Sequence, residues 1–109
     1  MADDSHEDSI EEERHLGSDN AIFIGSKPFM NYVTAIVMQF TTKNEREVIV
    51  KARGKFISRA VDVAEIAAKR FLEGSIETST INIDSEAFEN KEGKKVRVST
   101  IEITLKRKN

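Results

Sequence analysis

Asp62 and Glu65 stand three residues apart, a spacing that sets two carboxylates on one face of a helix, where an acid and base pair or a divalent metal would need them. Carboxylates so placed are ordinarily solvated helix residues, and nothing beside them completes a catalytic set. The two histidines of the 109 residues, His6 and His15, both fall within the first 19, away from any core. Cysteine is absent, which excludes a thiol nucleophile, a thiolate zinc site and a disulfide framework. Gly25 alone is no dinucleotide fingerprint, and "GSKP" (25–28) lacks the spacing of a phosphate-binding P-loop. The chain reads as non-enzymatic, with no cofactor or metal expected.

The charge that does form a pattern is basic. Residues 1–19 hold eight acids (Asp3, Asp4, Glu7, Asp8, Glu11, Glu12, Glu13, Asp19) against Arg14, a balance of −7. The other 90 residues hold 16 bases against 11 acids, a balance of +5. Three groups of bases are candidates for phosphate contacts, since phosphate neutralisation supplies most sequence-independent affinity for nucleic acid. Lys27 follows an apolar run and precedes Pro28, at a strand-to-helix junction where backbone N–H groups and the helix dipole favour an anion. Lys51, Arg53, Lys55 and Arg59 cluster between a second strand and a second helix. Lys91, Lys94, Lys95 and Arg97 lie around a glycine-containing turn. Each group taken singly is more often a solvated face, and lysines on a hairpin also deter edge pairing.

The elements that would position these bases follow from periodicity. The first 19 residues, with only Ile10 and Leu16 as large aliphatics, are expected to form a disordered acidic tail, leaving residues 20–109 as one domain. "AIFI" (21–24), a continuous apolar run closed by glycine, suits a buried central strand. Phe29, Val33, Ile36, Val37 and Phe40 repeat at helical spacing after Pro28, predicting a helix over 28–41. "REVIVKARG" (46–54) alternates as a strand, with Val48, Val50 and Ala52 on one face and Ile49, Lys51 and Arg53 on the other.

Ser58 is a candidate cap for a second helix, the alternative being a turn that starts a few residues earlier. Its wide stripe (Ile57, Ala60, Val61, Ala64, Ala67, Ala68, Phe71, joined by Val63 and Ile66) ends near Gly74 and suits either a core helix or a subunit interface. Two further strands, joined through "NKEGKK" (90–95), form a long hairpin. In its second strand the apolar residues pass from even positions (Val96, Val98) to odd ones (Ile101, Ile103, Leu105), so a bulge or bend is expected near Ser99 or Thr100. The result is an α/β (α+β) two-layer sandwich of order β-α-β-α-β-β. In such an order the loops after the first and second strands share one sheet edge, so Lys27 and the Arg53 group converge. No apolar run approaches the roughly 20 residues of a membrane span, and with the missing cysteines this predicts a cytoplasmic protein.

The segments "IGSKPFMNYV" (24–33), "VIVKARGKFISRAVDVAEIAAKRFL" (48–72) and "RVSTIEI" (97–103), in this order and spacing, resemble the archaeal Alba family of chromatin proteins over residues 20–108. The resemblance implies the fold of the C-terminal domain of translation initiation factor three and a homodimer, or a heterodimer with a paralogue. It implies a chromosome-associated binder of double-stranded DNA, and of RNA, with little sequence preference, which coats, bridges or compacts DNA. Carried onto this chain, it assigns Lys27, Arg53, Lys55 and Arg59 to the body of the DNA contact, and Lys94 and Arg97 to an arm entering the minor groove. Phe71 corresponds to the aromatic through which dimers pack side by side. Asn31 and Tyr32 match the family's "MNY" and would approach nucleic acid, with a core position as the alternative for Tyr32.

Where the family often has two lysines before the proline, this chain has Ser26 and Lys27. Ser26 offers a hydrogen bond to phosphate but neither charge nor the acetylation site that the first lysine supplies in the family. Lys55 stands where arginine is common and lacks its bidentate fork. The nearest rival reading is an RNA-binding module, of the ribonuclease P subunit kind or one maintaining RNA structure. More distant are a nuclease built on Asp62 and Glu65 and a scaffold assembled through the second helix.

Overall fold

In β2 (Glu47–Arg53) Val48, Val50 and Ala52 are buried while Ile49, Lys51 and Arg53 face the other way, the alternation of a strand covered on one face. The computed structural model describes residues 20–108; the expected acidic tail, residues 1–19, lies outside the described residues. Around β2 the sheet takes the order β1-β2-β4-β3, which puts β1 at an edge and not at the centre as expected, its apolar residues being only partly buried after Ala21. β1 (Ala21–Phe23) runs parallel to β2, with Phe23 beside Lys51, and Ile24 extends the pairing by donating its N–H to the Lys51 carbonyl at 2.8 Å. β4 (Lys95–Arg107) is antiparallel to β2 and to β3 (Ile76–Glu89).

Two helices cover the face that Val48, Val50 and Ala52 present. α1 (Phe29–Thr41) buries Val33, Ile36 and Phe40 of the expected stripe, with Phe29 and Val37 only partly buried, and adds Tyr32 and Gln39 to the buried face. Pro28 sits at its N-cap, so that the helix starts one residue later than expected, with the Pro28 φ of −54° already suited to it. α2 (Ile57–Ile66) buries Ala60, Val63 and Ala64 and runs on into a π-helical turn (Ala67–Phe71), where Leu72 N–H reaches the Ala67 carbonyl at 3.0 Å. Ser58 does not cap this helix. A 3₁₀ turn over Gly54–Phe56 leads into it, Gly54 at φ +54° turning the chain directly off the end of β2. The stripe serves chiefly as core: Val63 and Ala67 are inaccessible, while Val61 and Phe71 remain exposed.

The bulge lies elsewhere than expected. Register is continuous along β4 past Ser99 and Thr100, and the single shift falls in β3, between Thr78 and Thr80. Thr78 pairs with Leu105, and beyond the bulge Ile81 and Ile83 pair with Ile103 and Ile101, so the extra residue moves odd-numbered β3 residues onto the helix side. The even-to-odd change in β4 is a change of face. At the base Ile101, Ile103 and Leu105 pack under the helices. Past β2, where no helix covers the ribbon, Val96 and Val98 lie on the opposite side with Phe88 and Glu86.

Candidate nucleic-acid interface

β1 and β2 are parallel, so both release their chains at one end of the sheet, and the two loops meet there. The Arg59 guanidinium, in the first turns of α2, donates to the Gly25 carbonyl at 2.6 Å, 34 residues away. It also lies over the Tyr32 ring, 5.8 Å from the centroid. The ring of Tyr32 is in the core, and its hydroxyl oxygen accepts the N–H groups of Gly25 at 2.9 Å and Lys27 at 3.0 Å. These two amides are therefore engaged inside the protein. What the loop presents outward is the exposed Ser26 and the half-buried Lys27 side chain, with exposed Asn31 in the first turn of α1.

The second base group sits at the same end but divides between directions. Lys51 and Arg53 occupy the sheet face opposite the helices. Lys51 is held across β4 by Glu102, Nζ to Oε2 at 3.6 Å, and lies 5.4 Å from the centroid of the Phe23 ring. Arg53 meets Glu86 at 3.1 Å and stands over Phe88 at 5.9 Å. Lys55, on the 3₁₀ turn, extends over Phe56 at 5.4 Å.

The hairpin projects past this same end. Arg53 pairs with Thr100 as the last residue of β2, whereas β3 and β4 remain paired out to Glu89 and Lys95. About five residue pairs and a turn thus extend free, roughly 20 Å at strand spacing. Asn90 builds the turn: its Oδ1 accepts the N–H groups of Glu92 at 2.9 Å and Lys94 at 3.0 Å, and its own N–H donates to the Lys94 carbonyl at 2.8 Å. Gly93 completes the turn at φ +81°. Lys91, Lys94 and Lys95 are exposed around it, and Arg97 donates to Ser85 Oγ at 2.9 Å.

Asp62 is exposed on α2 and Glu65 is paired with Lys69 at 3.0 Å, one helical turn on. Among the described residues no cluster of histidine, cysteine, aspartate or glutamate is placed to hold a metal, and no helix is long and apolar enough to cross a membrane.

Two loops and a hairpin thus bring bases to one end of a four-stranded sheet, and the family model for Alba matches residues 20–85. The chain belongs to the Alba family. It is 54% identical over 88 residues to the DNA/RNA-binding protein Alba of Nanoarchaeum equitans, covering 80% of this chain and 97% of that one. The protein of the same name from Methanococcus maripaludis is 49% identical over 87 residues, with the same coverage of both chains. Among solved structures, Alba from Thermoplasma volcanium superposes with a TM-score of 0.74 at 49% identity, covering 81% of this chain and all of that one. ALBA1 of Trypanosoma brucei, at 21% identity and a TM-score of 0.62, covering 81% of this chain and 68% of its own, shares the fold.

Sequence reasoning missed the partners of the bases. Phe23, Phe88, Glu86 and Glu102 hold Arg53 and Lys51 in place, yet each becomes visible only through strand register. Lys51 lies beside Phe23 in one direction and Glu102 in the other, residues separated by 79 positions in the chain. Its alternation in β2 marks the face it occupies but not its neighbours.

Proposed function

We propose that this protein is a dimeric, non-enzymatic binder of double-stranded DNA with little sequence preference, also able to take RNA, and that it coats, bridges or compacts DNA on the chromosome. The observation that carries this is the convergence of three basic segments at one sheet end: the Lys27 loop, the Arg53-to-Arg59 segment and the hairpin arm that projects beside them. A rigid body edge flanked by a slender two-stranded arm suits a duplex, the body lying on the backbone and the arm following a groove. The relatives' shared description as DNA/RNA-binding proteins supports the same reading. The exposure of Phe71, 54% on the π-helical turn, supports its role as a contact between neighbouring dimers.

Binding measured against salt tests the mechanism. On duplex DNA the log–log slope should be about −0.9 for each phosphate neutralised. Affinity indifferent to salt would remove the backbone-contact reading. Because the relatives are described for both nucleic acids, competition between DNA and RNA duplexes of equal length separates the DNA reading from the RNA-binding alternative.

A further inference from the structure

We propose that Glu86 and Glu102 are built-in competitors for phosphate at Arg53 and Lys51, and so set the affinity and salt dependence of this end of the surface. The inference rests on the nucleic-acid reading above. Across the sheet face opposite the helices, register places Phe23, Lys51, Glu102 and Asn82 in one row, and Arg53, Thr100 and Asp84 in the next. Lys51 and Glu102 are direct cross-strand neighbours, the arrangement in which opposite charges attract along a sheet. Arg53 reaches over Thr100 toward the arm, where Glu86 takes its guanidinium at 3.1 Å and Phe88 supports it.

Two of the bases assigned to phosphate are therefore already paired. A phosphate arriving at Arg53 breaks that pair, and it then stands beside a carboxylate within the Debye length, about 10 Å at 0.1 M salt. Both effects oppose binding. Both pairs are solvent-accessible, and pairs of this kind are weak, so phosphate displaces them and the carboxylates tune affinity without blocking it. Glu86 also stands on the arm while Arg53 stands on the body, so displacement of this pair removes a contact between the two parts that grip the duplex.

Fluorescence anisotropy of a labelled 30-base-pair duplex with the full chain, from 50 to 200 mM KCl, tests this. Glu86→Gln and Glu102→Gln should each bind more tightly than the parent at 50 mM and with a steeper salt slope. The gain should shrink by about three- to fourfold across this range for each phosphate newly engaged. Glu65→Gln changes charge equally but frees Lys69 on α2, and should bind like the parent. In an Arg53→Gln background the Glu86→Gln gain should shrink, because competition through that pair is gone and only the repulsion between carboxylate and phosphate is left. Gains no larger than that of Glu65→Gln, or a Glu86→Gln gain that is undiminished without Arg53, would overturn the proposal while leaving salt-dependent binding by the parent intact. A parent that does not bind the duplex would overturn the proposed function and this inference together.

Discussion

Replacing Tyr32 by phenylalanine removes one oxygen and leaves two backbone N–H groups, those of Gly25 and Lys27, without the acceptor they use. The ring would still fill its place in the core and still support Arg59. Unmet amides in a part-buried loop should cost about 1–3 kcal/mol, read as a lower urea midpoint at unchanged slope. No charge is lost, so affinity for a duplex should fall while its salt slope stays that of the parent. A variant as stable as the parent would show that the hydroxyl does not hold the loop. Tyr32 thus acts on Lys27 from beneath, and Arg59 fixes the same loop through the Gly25 carbonyl. Gly25 allows the approach: a Cβ there would lie 3.3 Å from the Tyr32 oxygen.

The hairpin divides at the end of β2 into a base that is core and an arm that is surface. At the base Ile101, Ile103 and Leu105 close the sheet beneath the helices. Beyond it, Gly54 lets the arm lie close, since a Cβ at that position would stand 3.1 Å from Val98 Cγ2. The arm's lysines contribute charge without packing. Changing Lys91, Lys94 and Lys95 together to glutamine should leave thermal stability within about 0.5 kcal/mol. The salt slope of duplex binding should become shallower by about 0.9 for each lysine that meets a phosphate. An unchanged slope would remove the arm from the interface. At the other end of the sheet, Arg107 ties β4 to the end of α1 through the Phe40 carbonyl, the Glu45 carbonyl at 3.0 Å and Asn44 Oδ1 at 3.1 Å. The end that carries the bases is therefore opposite one that is firmly closed.

For the whole molecule, the helices cover only the start of the outer strand, where Ile76 is buried. Ile81 and Ile83 share the helix-side face with Ile103 and Ile101, yet they are 58% and 79% exposed. Apolar residues left this open on a sheet face suit the contact of the proposed dimer. Ile83→Glu should shift the mass in sedimentation from about twice the 12.3 kDa chain toward a single one, and a mass that stays doubled would place the dimer contact elsewhere. The order of strands and helices, the apolar stripes and the meeting of two basic loops were legible beforehand, because each is written in local periodicity or follows from a parallel β-α-β unit. The site of the bulge was not. The phase change within β4 pointed to Ser99 or Thr100, whereas Ser79 interrupts the partner strand, and a bulge belongs to a pair of strands. The residues alone determined the family, the two-layer order and the location of positive charge, since motif and period are properties of contiguous chain. Only the tertiary structure decided that Lys51 and Arg53 face Glu102 and Glu86, that Tyr32 supports the Lys27 loop from the core, and that Ile81 and Ile83 stand uncovered. Those outcomes depend on register and packing between segments far apart in the chain, which no local pattern encodes.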